Sequence, residues 1–297
     1  MSVNFEEAQS TGERLLTGYF DRFTVEHLHR YAIAGSLASG KEVLDIACGE
    51  GYGSKLLSMS AASVVGVDID EAVVQHAAEK YLKPGLKFLV GSANNIPVPD
   101  ASIDLVVSFE TLEHHSLHEE MYLEIKRVLR PDGLLVISTP NKKNFSDLTG
   151  HRNAYHVKEL YLEEFRDLNE RFFSKVNILD QRMIFGSLVF SAKLRENFSL
   201  YQGDHTQVDC LDAFSDPLYH ICIASEAELP TLKPSIFDGS IVVTSLEQKH
   251  DACMKSNAML ADRLVGVNKQ LSELQASWSY RMGRAILYPF RWLKSSK

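Results

Sequence analysis

The chain has 297 residues, of which 45% are hydrophobic, and this is enough for one complete α/β domain with appended segments. Its 31 basic and 39 acidic residues give a formal net charge of −8, which excludes a general attraction to nucleic acid or to anionic lipid. The four cysteines show neither metal-ligand spacing nor a disulfide pattern. Together with a polar, acidic start and no apolar run of bilayer length, they predict a cytoplasmic protein.

Strand and helix patterns alternate along the chain from residue 41. Five apolar runs are typical of strands buried on both faces, at residues 42–47, 64–70, 86–91, 104–109 and 134–140. Helical periodicity follows the glycine-rich turn after the first run and recurs at residues 71–81 and 118–129. This alternation predicts an α/β fold with a doubly wound, mostly parallel sheet. Residues 1–40 mix charged and apolar side chains and are expected to form a helical cap.

The sheet is expected to end in a pair of neighbouring strands. A helix pattern at residues 158–173 precedes strand patterns at 176–184 and 219–224. The irregular stretch between the two strands, about 185–217, is interpreted as an insertion. The predicted domain therefore covers residues 41–226.

A tail of different character, residues 244–297, follows a predicted linker at residues 227–243. From Leu246 hydrophobic side chains show heptad spacing, which predicts a coiled coil, with polar His250 and Asn257 in the seam. The last residues, from Ser277, interleave five basic side chains with aromatic ones and contain no acid. This composition favours docking on a membrane surface or a partner protein over plain self-packing. The seam consists of Leu246, Cys253, Leu260, Val267 and Leu274, with Leu264, Leu271 and Trp278 at the alternate positions.

The most informative motif lies after the first strand, where Asp45 precedes Gly49, Gly51 and Gly53. Glycines at this place let a ligand approach the backbone at the start of a helix. A glycine loop alone also fits a dinucleotide enzyme, but the carboxylate before it repels pyrophosphate and can receive an ammonium group. Asp68, at the end of the second strand, can accept hydrogen bonds from both hydroxyls of a ribose. The residues therefore disfavour NAD.

Four segments resemble those of the class I, Rossmann-like S-adenosylmethionine-dependent methyltransferases: VLDIACGEGYG, VVGVDID, GSANNIPVPDASIDLVVSFETLEH and LRPDGLLVISTPN. The resemblance implies a seven-stranded sheet and S-adenosyl-L-methionine as cofactor. It implies that Asp45 and the turn through Gly49 and Gly51 hold the methionine end and that Asp68 holds the ribose. The other implied cofactor contacts are Ile69 on the adenine, Ser92 and Ala93 at the adenine edge, and Phe109 along the cofactor.

Two positions depart from the family pattern. Ala47 stands where many members have glycine in the tight turn. Ser92 stands where an aspartate often receives the adenine amine, so that contact is expected to be weaker or to come from a backbone group.

Methyl transfer to a hydroxyl needs proximity, in-line alignment and a base. Enzymes of this fold that methylate the amines of nucleic-acid bases carry an Asn/Asp-Pro-Pro-aromatic motif after the fourth strand, whereas this chain reads SFETLEHH there. An oxygen acceptor is therefore favoured, with His114, His115 or His156 as the candidate catalytic base. Each of them can instead be a histidine that caps or packs a loop. A metal site formed by His114, His115 and His118 is an alternative, but no metal site is expected, because adjacent histidines rarely point at one ion and a further ligand is not evident.

The segment HRNAYHVKELYLEEF, residues 151–165, resembles a stretch in bacterial methyltransferases associated with surface-polysaccharide synthesis, some of them fused to or encoded with glycosyltransferases. The resemblance implies O-methylation of a sugar hydroxyl of a glycan or its precursor. A coiled coil followed by a basic, aromatic segment resembles the ends of several bacterial polysaccharide enzymes. This tail implies a glycosyltransferase partner or a homo-oligomer formed through the coiled coil, and peripheral contact with the inner face of the plasma membrane. Polar and aromatic groups of the insertion (Tyr201, Asp204, His205 and Asp209) suit a glycan but suit ordinary loops equally.

Two other functions stay open. The first is a small-molecule O-methyltransferase acting on a quinone precursor or a secondary metabolite, for which the long tail is unneeded. The second is a non-catalytic scaffold that organises a glycan-synthesis complex through the tail. The intact set of Asp45, Gly49, Gly51 and Asp68 argues against loss of cofactor binding.

Overall fold

The computed structural model describes residues 21–150, 152–183, 187–191, 200–203, 208–211 and 217–284. The chain divides into two compact units, residues 1–240 and residues 241–297, which are described separately. The predicted contributions of His205, Asp204 and the basic segment 285–297 lie outside the described residues.

A nine-stranded sheet forms the centre of the first unit, with the strand order β11-β7-β6-β10-β5-β4-β1-β2-β3. Strands β1 to β5 pair in parallel, and β10 runs antiparallel between β5 and β6. The bounds are β1 (Glu42–Ile46), β2 (Ser63–Asp68), β3 (Leu86–Val90), β4 (Ile103–Phe109), β5 (Leu129–Pro140), β6 (Lys175–Met183), β7 (Ser187–Ser191), β8 (Leu200–Gly203), β9 (Val208–Leu211), β10 (Tyr219–Ser225) and β11 (Ser235–Phe237).

The seven strands from β6 to β3 are the mostly parallel sheet that the sequence predicts, and their order is that of the class I methyltransferase fold. Strands β7 and β11 extend it at the β6 edge, where β11 pairs with β7. The segment predicted as a linker, residues 227–243, therefore contributes a strand, because Ser235–Phe237 completes the edge. In its described residues, the stretch predicted as an irregular insertion, 185–217, contains three strands: β7 joins the central sheet beside β6, and β8 and β9 form a separate two-stranded sheet.

Helices cover both faces of the sheet. Their bounds are α1 (Arg22–Leu37), α2 (Tyr52–Leu57), α3 (Glu71–Lys80), α4 (His118–Val128) and α5 (Leu162–Phe172), with a single 3₁₀ turn at Leu112–His114. One apolar cluster packs α4 and α5 against one face, and a second packs α1 and α2 against the other. Burial on both faces explains why the parallel strands are apolar at nearly every position.

Helix α1 belongs to the domain core. It begins at an Asp21 cap whose side chain accepts from the Thr24 backbone N–H, and it buries Val25, Ile33 and Ala34 against the sheet. Residues 1–40 are predicted to form a helical cap; their described part, from residue 21, contains this helix, which packs over the sheet, and residues 1–20 lie outside the described residues.

The second unit consists largely of one long helix, α6 (Ser240–Ala276). Within the described residues, no helix is long and apolar enough to cross a membrane.

Candidate active site

The carboxyl edge of the parallel strands brings the predicted site residues together, because parallel strands end at the same edge of a sheet. A cleft of about 310 Å³ lies at this edge, between the turns that follow β1, β2 and β4. It is lined by Ile46, Ala47, Gly49, Val67, Asp68, Ile69, Gly91, Ser92, Ala93, Asn94, Glu110, Thr111, His114 and His115. The lining includes six of the predicted cofactor residues and two of the candidate bases, whereas Asp45, Gly51, Phe109 and His156 are not part of it.

The six cofactor residues in the lining are Ala47, Gly49, Asp68, Ile69, Ser92 and Ala93, and the Glu110 carboxylate, which was not predicted as a site residue, lines the same cleft. Which of them contact the cofactor stays a prediction, and the structure shows that they share one wall.

Asp45 lies below the glycine turn rather than in the cleft. Its side chain is fully buried at the end of β1, where the Ser54 hydroxyl donates to it at 2.6 Å and the Tyr31 hydroxyl donates at 3.2 Å. Burial raises the pKa of Asp45 to about 7, although both hydroxyl donors lower it. Because Asp45 does not line the cleft, we propose that it contacts the methionine end through an intervening group such as a water molecule.

The turn after β1 needs unusual backbone angles. Gly49 and Gly51 have φ of +53° and +86°, and a Cβ atom at Gly51 would lie 2.7 Å from the Phe88 ring. Ala47 also adopts a left-handed φ of +56°, a conformation that costs a non-glycine residue about 1–2 kcal/mol. The departure at Ala47 from the family's glycine therefore stores strain in the cofactor turn.

Asp68 is held in place by the turn that it faces. Its two carboxylate oxygens accept from the backbone N–H groups of Gly49 at 2.9 Å and of Asp70 at 3.1 Å. Only 5% of the residue is exposed, and it lines the cleft. These bonds fix the carboxylate at the end of β2, where the sequence predicts a ribose contact.

The lining of the cleft fits S-adenosyl-L-methionine better than a dinucleotide. Asp68 and Glu110 are its acidic residues, and the lining contains neither lysine nor arginine. Such a wall repels pyrophosphate and suits a ligand that carries a sulfonium and an ammonium charge. Ile69, which is 72% exposed, provides an apolar surface at the same cleft, as the predicted adenine contact requires.

The residues predicted at the adenine edge differ in their surroundings from Phe109, which is predicted to lie along the cofactor. The Ser92 hydroxyl donates to the Asn94 side chain at 2.7 Å, and Ala93 packs against the apolar core. Phe109 is buried, with its ring 5.0 Å from that of Tyr31, so it supports the cleft from below.

Glu110 connects the cleft to a buried charge network that the sequence did not reveal. Its backbone has a left-handed φ of +52°, and its carboxylate accepts from the Ser138 hydroxyl at 2.6 Å. Arg30 of α1 lies 3.6 Å from the same oxygen, and its Nη1 donates to the Gln181 side chain at 2.8 Å. Arg30 also lies over the Tyr219 ring, with its guanidinium carbon 4.7 Å from the centroid. The sequence shows Arg30 only as one charged residue in a segment of mixed polarity. Its burial cannot be recognised without the sheet beneath it.

His114 and Glu113 are positioned by the 3₁₀ turn after β4. The backbone oxygen of Glu113 accepts from the N–H groups of Val157 and Lys158, which ties the 153–158 segment to this turn. The Nδ1 atom of His114 is 3.1 Å from the backbone oxygen of Tyr155 in that segment. Burial and the nearby carboxylate of Glu110 raise the pKa of Glu113 well above its ordinary value.

The other two candidate bases differ in position. His115 lines the cleft, and burial lowers its pKa, which keeps the ring neutral near pH 7. His156 does not line the cleft. Its ring packs edge to face on His114 with the centroids 5.2 Å apart, and its Nδ1 contacts the Glu159 carboxylate. Among the three histidines, His156 is therefore suited to hold His114 rather than to reach an acceptor.

Glu26, on α1, belongs to the buried charge network around Arg30, and the pH dependence of protein stability tests its protonation. Burial raises its pKa to about 7, although Arg30 lowers it. The folded state therefore holds a proton that the unfolded chain releases near pH 4.5, and the free energy of unfolding that Glu26 contributes falls as the pH rises toward 7. Gln does not titrate. We therefore expect the free energy of unfolding of Glu26→Gln, relative to that of the wild type, to rise by about 2 kcal/mol from pH 5 to pH 8.

Denaturant unfolding of both proteins at the two pH values measures this difference. The pH-dependent contribution of the buried histidines is the same in both proteins and therefore cancels. A difference that stays constant with pH would show that Glu26 is already ionised in the folded protein.

Comparisons with known proteins agree with this geometry. Residues 44–137 match a family model described as a methyltransferase domain. A probable S-adenosylmethionine-dependent methyltransferase of Mycolicibacterium smegmatis is 37% identical over 163 residues, which are 54% of this chain and 63% of that protein. Phthiotriol/phenolphthiotriol dimycocerosates methyltransferase 1 of Mycobacterium ulcerans is 33% identical over 126 residues, 42% of this chain and 46% of that protein. The chain thus spans less than two thirds of the length of these relatives.

Among solved structures, a SAM-dependent methyltransferase from Archaeoglobus fulgidus has a TM-score of 0.50 and 19% sequence identity, over 68% of this chain and 92% of that chain. At that identity the similarity shows the fold alone. Residues 44–137 therefore form a methyltransferase domain on the class I fold, and this domain implies S-adenosyl-L-methionine as the cofactor.

Proposed function

We propose that the protein is an S-adenosylmethionine-dependent O-methyltransferase and that its acceptor is a sugar hydroxyl of a bacterial surface glycan or of a glycan precursor. The observation that carries the hydroxyl acceptor is the position of His114, which lines the same cleft as Asp68. The cofactor supplies an electrophilic methyl group on a sulfonium. The protein has to bind the acceptor beside it and remove a proton from the acceptor.

The tautomer of His114 suits that task. Its Nδ1 lies 3.1 Å from the Tyr155 carbonyl oxygen, which can only accept a hydrogen bond. In the neutral ring the hydrogen is therefore on Nδ1, and Nε2 keeps its lone pair. We propose that the acceptor hydroxyl is activated at His114, with Asp68 and the turn at Gly49 holding the cofactor.

Polar groups beside the cleft support a hydroxyl-rich acceptor. Arg30, Glu110 and the Tyr219 ring lie together, and within the described residues Nε and Nη2 of Arg30 have no hydrogen-bond partner. Glu110 lines the cleft, where its carboxylate can accept from an acceptor hydroxyl, and the buried Arg30 holds that carboxylate in place. The resemblance of residues 151–165 to methyltransferases of surface-polysaccharide synthesis favours a sugar among such acceptors.

The acceptor class is tested by methyl transfer from cofactor with an isotopically labelled methyl group. Three sets of acceptors are compared: nucleotide sugars and lipid-linked oligosaccharides, quinol precursors, and phthiotriol, which appears in the name of a similar protein. We expect labelled product with the first set and an O-methyl signal in its NMR spectrum. Transfer only to the second or third set would contradict the glycan acceptor, and cofactor binding without transfer to any set would favour the scaffold.

A further inference from the structure

His114, which lines the cleft, and two side chains beside it bring ligand atoms together. One ligand atom from each of Glu113, His114 and His156 lies within 4.8 Å of the other two. The Nε2 atom of His114 is 3.9 Å from Oε1 of Glu113. Two imidazoles and one carboxylate are the protein ligands of several catalytic zinc sites, in which the fourth position is left for water or substrate.

Both histidines have the hydrogen-bond partners that metal-binding histidines use. Nδ1 of His114 meets the backbone oxygen of Tyr155 at 3.1 Å, and Nδ1 of His156 contacts the Glu159 carboxylate. Each contact places the hydrogen of the neutral ring on Nδ1 and leaves a lone pair on Nε2. Such carbonyl and carboxylate partners fix the tautomer and raise the basicity of a ligating imidazole.

The burial of the Glu113 carboxylate is a second observation that points to a cation. Glu113 is 1% exposed, and its Oε2 atom has no hydrogen-bond partner among the described residues. Burying a carboxylate oxygen without a partner is costly, and a bound cation removes that cost.

We propose that Glu113, His114 and His156 bind one divalent transition-metal cation, and that the acceptor hydroxyl takes its open coordination position. Nitrogen and carboxylate ligands in this number suit zinc. With the cation bound, Nε2 of His114 is a metal ligand and no longer a base, so the cation takes over the activation of the acceptor. A hydroxyl bound to it has a lower pKa, and its proton leaves to solvent water while the oxygen keeps the electron pair. The role of the cation rests on the proposed function, whereas its binding does not. The sequence analysis predicts no metal site, since it considers neighbouring histidines only, whereas the proposed site joins Glu113 and His114 to His156, which is far along the chain.

Metal binding is measured directly on the full-length protein, purified without a histidine tag and dialysed against a chelator. Calorimetric titration with Zn²⁺ is expected to show one site per chain, and Co²⁺ is expected to give a visible absorption band at the same stoichiometry. Glu113→Gln, which keeps the size of the buried side chain, should weaken binding at least about tenfold. Glu159→Gln should weaken it by about 10–100-fold, as outer-shell changes do.

The matched control is His76→Ala, a histidine on α3 that is absent from the cleft, and it should bind Zn²⁺ like the wild type. Equal Zn²⁺ affinity of the wild type and of Glu113→Gln would overturn the metal site, and so would the absence of stoichiometric binding. Full methyl transfer by the chelator-treated protein would overturn the role of the cation while the methyltransferase function stands. Zn²⁺ binding without transfer to any hydroxyl acceptor would instead contradict the proposed function alone.

A separate observation concerns α6, which presents a row of large apolar side chains to solvent. Along the described part of the heptad seam, the exposed fractions run from 49% at Leu271 to 78% at Trp278. In the heptad of this helix, Asn257, Leu264 and Leu271 occupy the a positions, and Cys253, Leu260, Val267 and Leu274 occupy the d positions. An isolated helix with such a face needs a partner to bury it.

We propose that the partner is α6 of a second copy of this chain, paired in parallel and in register. In that arrangement Asn257 meets the Asn257 of the other copy, and the two amides can bond to each other. An antiparallel pair would place the amide against an aliphatic side chain and leave it unpaired. The flanking e and g positions from 254 to 277 contain one charge, Arg263, which would face Asn268 of the other copy, so like charges do not oppose a homodimer.

Cys253 makes the orientation testable, because its exposed thiol occupies a d position and would face its own copy only in a parallel, in-register pair. We expect full-length protein to sediment as a dimer and to form a Cys253-linked dimer with a mild oxidant. The matched control Cys253→Ser with Lys255→Cys moves the thiol to the outer face and should stay unlinked. Sedimentation as a monomer would overturn the pairing, and a dimer that links equally well through both cysteine positions would overturn its register.

Discussion

Asp68→Ala is expected to weaken binding of S-adenosyl-L-methionine at least about tenfold. If the carboxylate accepts bonds from both ribose hydroxyls, two bonds to a charged acceptor are lost, and each contributes about 1.5–3 kcal/mol. A change of about 1.4 kcal/mol corresponds to a factor of ten in affinity. Calorimetric titration of the wild type and the variant with the cofactor measures the difference.

The variant also loses two structural bonds, since Asp68 accepts from the backbone N–H groups of Gly49 and Asp70. Asp70→Ala is the matched control, because it removes the neighbouring carboxylate that caps α3 through Ala72 and Val73. We expect it to cost about 1 kcal/mol of stability while cofactor affinity stays within a few-fold. Unchanged affinity in Asp68→Ala would remove Asp68 from the cofactor site, and tight binding of NAD would restore the dehydrogenase interpretation.

His114→Ala is expected to lower turnover by about 10²–10⁴-fold, the range that a positioned proton-transfer group contributes. Cofactor affinity should stay within a few-fold, because His114 is not one of the predicted cofactor contacts and its ring lies next to Glu113 and His156. Single-turnover transfer of a labelled methyl group measures the effect without interference from product release.

His76→Ala is again the control. His76 lies on α3 and does not line the cleft, so this variant should retain the turnover of the wild type. A loss of less than about threefold in His114→Ala would reduce His114 to a structural role. His115 would then be the next candidate, because it lines the same cleft and its lowered pKa keeps it neutral.

The sheet could be predicted because its signals are local. The apolar runs that became β1 to β5 are buried on both faces, and burial on both faces removes the polar alternation that marks other strands. The position of Asp68 at the end of β2 followed from the strand boundary alone, and the glycines marked the turn opposite it. The edge strand β11 was missed, because three residues beside a proline carry no periodicity.

The sequence by itself therefore determined the methyltransferase fold, the cofactor turn and the edge of the sheet where chemistry takes place. Only the tertiary structure decided which side chains share that edge. Arg30 reaches Glu110 because α1 crosses the sheet, and His156 reaches His114 because the Glu113 backbone binds the 153–158 segment. These contacts join residues far apart in the chain, and the energies that hold them, burial and pairing of charge, have no periodic signature in a sequence.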